Sequence, residues 1–308
     1  MNLILLKRIW VKLLKMVNWP CSTLKAFLWL KDIVEHKTSN DLYLVLLPGL
    51  GDTIFALSYY SSLKKQYKDR DIIIISDDKN VDFVNQYGIG KIISYNNSRK
   101  AILEFHSNYL LCRIAQKYGV INTNPYLYYK KNEISNALGI LKDKIYQLDD
   151  ADIQLDFPLA VKDKSQKVSG KRYVIVNPYS ASLSQNRWNL FADIVAYLKR
   201  ADYKVFTNIV GKQRPIDGSE ELRCNIYEFF LIASGATAVI SLRSGILDLA
   251  VHTGVPMFVL YENCTKKFEA IYKLEQWEQG SNIVEMHTDG ISDHQIFNKI
   301  KVWIKELD

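Results

Sequence analysis

From residue 41 onward the chain alternates between short apolar runs and stretches with helical spacing. Residues 42–48 (LYLVLLP) form the first run, closed by Gly49-Leu50-Gly51-Asp52 and followed by a helical pattern to about residue 66. Residues 71–76 (DIIIIS) are almost purely β-branched, which predicts a strand buried on both faces. A helix near 79–87, a strand at 91–95 and a longer helical region around 98–118 complete the first series. The pattern restarts with strands at 173–178 (YVIVNP), 204–210 (KVFTNIV), 238–242 (AVISL) and 256–261 (PMFVLY). Helical stretches at 190–200, 226–234 and 246–252 separate them.

Strand–helix alternation predicts parallel sheets joined by right-handed crossovers, and here it occurs twice. Residues 149–158 are acidic and end in proline, and 161–170 are polar and Lys-rich, so together they read as a linker. The expected architecture is α/β: two Rossmann-like, doubly wound domains facing a central cleft, over 41–160 and 171–290. The final helical segment, 291–308, is expected to cross back onto the N-terminal domain. In such sheets ligands bind beyond the carboxyl ends of the strands, so those loops hold the candidate chemistry.

Ahead of the alternation lies a segment of different character, 1–36. In residues 3–17 (LILLKRIWVKLLKMV), Leu3, Leu6, Ile9, Trp10, Leu13, Leu14 and Val17 share one helical face, at about 100° per residue. Arg8, Lys12 and Lys15 occupy the other face. Pro20 ends the pattern and a second short apolar helix begins near Leu24. Lysines interrupt every apolar run, so no stretch approaches the roughly 20 residues that span a bilayer, and a secretory leader fits poorly. A basic, Trp-bearing amphipathic helix instead suits an anionic membrane surface, with Arg8, Trp10, Lys12 and Lys15 at the lipid headgroups. Docking on the protein's own body is the alternative.

Composition changes this picture at one point. The 308 residues are 48% hydrophobic and 24% charged, which is ordinary globular composition, and the formal charge is +7. Residues 1–31 hold six basic and no acidic side chains, which leaves 34 basic against 33 acidic in the remainder. The body is therefore nearly neutral, and a basic groove for nucleic acid is not expected. The four cysteines lie far apart and read as reduced, buried thiols of a cytoplasmic protein. The five histidines form no cluster with carboxylates at metal-ligand spacing. No P-loop, dinucleotide G-x-G-x-x-G or Ser-His-Asp arrangement is present, so NTPase, dehydrogenase and hydrolase readings lose ground.

Three strand-end loops carry the candidate site. In Pro48-Gly49-Leu50-Gly51-Asp52-Thr53, two glycines allow backbone to approach a ligand, and Asp52 sits in a first helical turn. Helix capping by Asp52 or Thr53 would explain the same residues. In Asn177-Pro178-Tyr179-Ser180, followed by Arg187-Trp188, a Ser/Asn loop could hold phosphate oxygens, with Arg187 as cation. In Ser241-Leu242-Arg243-Ser244-Gly245-Ile246-Leu247-Asp248, a strand runs into Ser-Gly at a helix start. Arg243 and Asp248 flank that mouth, either as ligand contacts or as an ion pair holding the loop. Glu262, past the last strand, is a further candidate.

The order and spacing of these loops resemble the heptosyltransferase-type glycosyltransferases (family 9), which have the GT-B fold. The resemblance lies in the G-x-G-D-x-hydrophobic loop (Gly49 to Ile54), the strand–P-x-S–RW–helix segment (Val174 to Leu198) and the late Ser-Gly…G-x-P segment (Ser241 to Pro256). Two positions depart from it: the family's Asp before Ser-Gly is Arg243 here, and its His three residues after the Gly is Asp248. The resemblance therefore implies a divergent branch.

It also implies an inverting transferase that takes a nucleotide-sugar donor on the C-terminal domain and a glycan or lipid-linked acceptor on the N-terminal side, in cell-envelope polysaccharide synthesis. Asp52 would be the general base, with Gly49, Gly51 and Thr53 in the acceptor-side loop. Ser180, Arg187, Arg243, Ser244, Gly245, Asp248 and Glu262 would line the donor side. Such a scheme needs neither a metal nor another cofactor. With the basic arm, it places the protein in the cytoplasm, peripheral at the inner face of the membrane. Asp150-Ala151-Asp152 is the competing D-x-D metal pattern of the other large glycosyltransferase fold, set in what reads as linker. The rival function is a non-catalytic partner subunit of another transferase.

Overall fold

The β-branched run Asp71–Ser76 becomes strand β2 of a four-stranded parallel sheet, in a computed structural model. The structure describes residues 21–36, 38, 40–95, 98–130, 136–149, 155–159, 172–180, 187–277 and 282–307. The sheet order is β3 (Lys91–Ser94), β2, β1 (Asp41–Val45), β4 (Val120–Asn122). Asp41 pairs with Asp71 and Tyr43 with Val120, which places β1 centrally. Helices α1 (Cys21–His36), α2 (Leu50–Leu57), α3 (Tyr60–Gln66), α4 (Val81–Asn85), α5 (Arg99–Ser107), α6 (Tyr109–Gln116) and α7 (Ala137–Ile140) surround it.

The second sheet has six parallel strands, ordered β10 (Ile283–His287), β9 (Met257–Tyr261), β8 (Ala238–Leu242), β5 (Tyr173–Asn177), β6 (Lys204–Asn208), β7 (Glu220–Leu222). Helices α8 (Trp188–Arg200), α9 (Ile226–Ser234), α10 (Gly245–Ala250), α11 (Lys266–Tyr272) and α12 (Asp293–Glu306) flank it. Asn225 begins α9 with a full capping box, its side chain bonded to the Glu228 N–H and Glu228 bonded back.

Strand periodicity divides the core. Tyr43, Val45, Ile73 and Ile75 face one side of the first sheet and pack under Ala26, Phe27 and Leu30 of α1 and Ile102 and Phe105 of α5. Leu42, Leu44 and Ile74 face the other side and belong to a cluster continuous with Ile175, Val239 and Val259 of the second sheet. The inner layers of the two halves thus share one apolar core, with Phe55 stacked on Trp277 at 4.7 Å across the boundary.

Two expectations are corrected here. The last helix does not cross back: Ile296, Ile300, Trp303 and Ile304 pack with Phe191 and Ile194 of α8 on the outer face of the C-terminal sheet, and Trp303 meets Phe258 of β9. Only residues 288–292 separate β10 from α12, a reach of about 17 Å, so the helix lands on the sheet it has just left. The long connection between β9 and β10 makes the crossing instead: Lys267, Tyr272, Gln276 and Trp277 all touch the N-terminal half. The segment 1–36 is also not one free arm, because α1 is part of the N-terminal core. Arg8, Trp10, Lys12 and Lys15 lie outside the described residues. No helix among the described residues is long and apolar enough to cross a membrane.

Candidate active site between the two sheets

Leaving β1, the chain turns through Pro48 and Gly49 into α2. Gly49 holds extended backbone (φ −75°, ψ 141°) and provides no side-chain cap. The loop is braced from below: Thr53 N–H and Oγ1 both donate to Gly49 O at 3.0 Å, and Asn80 Nδ2 donates to Pro48 O and Thr53 Oγ1. Thr53 is fully buried and serves the loop's own geometry. Asp52 projects from the first turn with Oδ2 directly over Gly49, where any Cβ would collide with it.

Opposite lies the Ser244-Gly245 start of α10. The two glycine loops touch backbone to backbone: a Cβ on Gly245 would sit 2.6 Å from Gly51 N. Glycine at 51 and 245 is what lets the halves approach this closely. Across the same boundary, Tyr272 O–H donates to Asp52 Oδ1 at 2.5 Å. The Asp52 carboxyl titrates at about 6. Burial raises it most, the Tyr272 bond opposes this, Asp248 raises it further and Arg243 lowers it. A carboxylate near 6 is matched to proton abstraction at neutral pH.

Arg243 and Asp248 form a buried, two-pronged pair: Nη2 donates to both carboxylate oxygens at 2.7 and 2.9 Å. Arg243 Nε donates to Tyr272 O, Nη1 to Ser244 O, and Trp277 Nε1 reaches Asp248 Oδ1 at 3.4 Å. Burial raises Asp248 and the Arg243 cation opposes it. Arg187 is likewise engaged by protein. Its five hydrogen bonds run to Glu262 (two), Asp293, Ile291 O and Thr288 O, and account for all five of its N–H donors. Glu262, buried, also accepts from Thr288 Oγ1. Arg187 and Glu262 thereby tie the head of α8 to the loops after β9 and β10. Ser180 Oγ donates to Arg243 O, and Ser244 Oγ accepts from Asn177 Nδ2.

Two cavities open here. One of 560 Å³ is lined by Gly49, Asp52, Tyr126, Ser244, Phe268 and Tyr272 among others. The other, of 610 Å³, lies past the ends of β6 and β7 against Lys79, Phe83, Asn208, Cys224 and Tyr227. Leu50 and Ile246 wall both cavities. The structure thus gathers Gly49, Gly51, Asp52, Arg243, Ser244, Gly245 and Asp248 in one place, with Arg187 and Glu262 in a separate buried bridge. Sequence reasoning missed Tyr272, Tyr126 and Trp277: nothing local distinguishes one tyrosine among 19 until the β9–β10 connection is seen to cross the cleft. His106, buried and held near 4 by desolvation, bonds Asn122 and Leu46 O as part of the core. Among the described residues no three His, Cys, Asp or Glu side chains group as metal ligands, and Asp150 and Asp152 lie outside them.

No family model and no curated protein sequence matches the chain. Solved structures do. E. coli ADP-heptose lipopolysaccharide heptosyltransferase II superposes with a TM-score of 0.59 at 10% identity, over 86% of this chain and 99% of that one. E. coli heptosyltransferase WaaC with ADP gives 0.60 at 12%, over 87% and 100%. A family 9 glycosyl transferase from Veillonella parvula gives 0.56 at 15%, over 87% and 97%. At such identities the likeness carries the fold, and that fold is GT-B.

Proposed function

We propose that the protein is a glycosyltransferase that moves a sugar from a nucleotide-sugar donor to an acceptor hydroxyl with inversion at the anomeric carbon. The observation that carries this reading is Asp52. It is a carboxylate raised to about 6, at the mouth of a strand-Gly-x-Gly-helix loop, facing the Ser-Gly loop of the other sheet across a cavity of 560 Å³. Asp52 takes the proton of the acceptor hydroxyl as the oxygen attacks the anomeric carbon. The bond to the donor diphosphate breaks, and the diphosphate leaves with the electron pair. The donor's nucleotide fits the cavity past β6 and β7, with its sugar beyond Leu50 and Ile246 and its diphosphate beside Ser180, Ser244 and Gly245. Arg187 and Glu262 brace the neighbouring loops, and the Arg243–Asp248 pair lines the 560 Å³ cavity itself. Neighbours of the same fold whose structures carry ADP or an ADP-sugar support a nucleotide-sugar donor.

On this reading the acceptor would be a glycan or a lipid-linked acceptor in cell-envelope polysaccharide synthesis. Residues 1–20, with Arg8, Trp10, Lys12 and Lys15, would hold the protein at the anionic inner face of the membrane.

One observation favours a second reading, a non-catalytic partner subunit: both candidate phosphate-binding guanidinium groups are committed to protein acceptors. Asp52→Asn separates the two. Transfer, measured as nucleoside diphosphate released only when acceptor is present, falls about 10²–10⁴-fold if Asp52 is the base. Transfer unchanged in the variant refutes the assignment. Thermal shifts with UDP, GDP, CDP, ADP and dTDP, with and without Mg²⁺, name the donor class. No stabilisation by any of them favours the partner reading.

A further inference from the structure

Tyr272 reaches Asp52 from the other side of the molecule. It ends α11, in the connection between β9 and β10, whereas Asp52 belongs to the first sheet's loop, and the two are 220 residues apart. The phenol is held from every side. Its ring packs on Phe55 at 5.8 Å and Tyr126 at 5.7 Å from the N-terminal half, and on Phe268 at 5.1 Å from its own helix. Its carbonyl accepts from Arg243 Nε at 3.0 Å and Tyr261 O–H at 3.2 Å. A ring fixed in this way has little rotamer freedom left to lose when its hydroxyl makes a hydrogen bond. The two carboxylate oxygens of Asp52 are consequently not equivalent. Oδ1 accepts the hydrogen bond from Tyr272 O–H, while Oδ2 lies over Gly49, where only the missing Cβ leaves it room. Both Gly49 and Tyr272 line the same 560 Å³ cavity.

We infer that Tyr272 is the positioning residue for Asp52: by binding Oδ1 from the opposite half of the molecule, it leaves Oδ2 as the one atom that accepts the substrate proton. This rests on the reading of Asp52 as the general base. Its consequence is that the base is correctly presented only while the β9–β10 connection lies across the cleft, so that the C-terminal half controls the chemistry of a residue on the N-terminal half. The O–H stays neutral, since burial and Asp52 itself hold Tyr272 well above the usual phenol range, so it acts as donor and never as base. The groups facing Asp52 are Tyr272, Asp248 and Arg243, together with Tyr126 and Tyr95 at longer range. Of these, Tyr272 alone hydrogen-bonds it among the described residues.

The test uses the full-length protein labelled with ¹³C at aspartate carboxyl groups. The Asp52 resonance is identified by its loss in Asp52→Asn, and is followed from about pH 4 to about pH 8, which brackets the ordinary and the raised carboxyl range. Tyr272→Phe keeps the ring and removes one oxygen, and circular dichroism checks its fold. Losing a donor to the charged form raises the Asp52 midpoint by about one pH unit, and the acid limb of kcat follows by the same amount. A substitution with 3-fluorotyrosine at position 272, whose O–H is the stronger donor, moves both downward and keeps the side chain's shape. An Asp52 midpoint within about 0.2 of wild type in folded Tyr272→Phe and in the fluorotyrosine protein overturns the inference. The NMR midpoint needs no turnover. If Asp52→Asn leaves transfer intact, the base assignment falls while the titration still decides whether Tyr272 holds the carboxylate.

Discussion

Removing the Arg243 side chain tests what that cation is for. The Arg243 and Asp248 side chains are 3% and 1% exposed. In Arg243→Met, two of the four acceptors that lose a hydrogen bond keep another donor: Tyr272 O retains Tyr261 O–H and Ser244 O retains the Leu247 N–H. The other two are the oxygens of Asp248, left with Trp277 Nε1 at 3.4 Å. A buried carboxylate without its cation costs about 3–5 kcal/mol. Protonation limits the damage. Keeping a carboxyl of ordinary pKa protonated at pH 7 costs about 4 kcal/mol, at 1.36 kcal/mol per pH unit, and only about 1.5 kcal/mol at pH 5.

The sign follows. In the variant, the folded-state pKa of Asp248 lies above its unfolded value. The variant therefore keeps its stability below the ordinary carboxyl range and loses it as pH rises toward the folded value. Urea unfolding should show Arg243→Met about 4 kcal/mol less stable than wild type at pH 7 and about 1.5 kcal/mol less stable at pH 5. Arg243→Met combined with Asp248→Leu removes both charges, and should recover to within about 1–2 kcal/mol of wild type at pH 7. A loss under about 1 kcal/mol at pH 7, or one that does not shrink at pH 5, refutes the argument that the pair is structural. It would return Arg243 to the donor phosphates, where its loss should raise the donor KM.

Three further outcomes are expected. Gly245→Ala drives a Cβ to 2.6 Å from Gly51 N, a backbone atom that no rotamer change can relieve, and should cost about 1–3 kcal/mol in urea unfolding. Gly90→Ala, with nothing within 4 Å, should be neutral, and equal effects at the two sites would refute the backbone-contact argument. Transfer should lose activity as pH falls through about 6, where Asp52 takes up its proton, and an acid limb below pH 5 would count against Asp52 as the base. Deleting residues 1–20 should release the protein from anionic vesicles with its fold intact. Deleting 1–36 also strips Ala26, Phe27 and Leu30 from the core, and should lower stability on the order of 5 kcal/mol. Vesicle binding that survives the shorter deletion removes the membrane role from that segment.

Apolar runs in the sequence marked seven of the ten strands found among the described residues, β1 to β3, β5, β6, β8 and β9, as at 71–76 and 238–242. β4 (VIN), β7 (EEL) and β10 (IVEMH) were not marked, because three residues carry no period, β7 is polar at its exposed edge and Glu285 interrupts β10. The loops themselves could be read, since Gly-x-Gly-Asp and Ser-Gly mark sharp strand-to-helix turns whatever the partner. What each loop faces could not. The amphipathic stripe of Ile296, Ile300 and Trp303 shows that the last helix has a buried face, but not which sheet lies beneath it. The cross-cleft role falls to α11, whose short sequence holds Tyr272 and gives no sign of its destination.

The same limit explains the two departures from the family pattern. Read singly, Arg243 and Asp248 each look like a lost function, a cation where a carboxylate belongs and a carboxylate where a histidine belongs. The structure makes them one change. A lone buried Arg243 or a lone buried Asp248 would each be left as an uncompensated charge, and together they cancel at 2.7 Å, one turn into α10. The pair lines the cavity beside the Ser-Gly loop, and Arg243 fixes Tyr272 through its carbonyl, while Tyr272 fixes Asp52 through its hydroxyl. Compensation in place, connected through Tyr272 to a buried carboxylate raised to about 6, is the arrangement that the proposed base role of Asp52 requires. The partner reading requires no such carboxylate, so loss of transfer in Asp52→Asn, with the fold kept, is the result that would separate them.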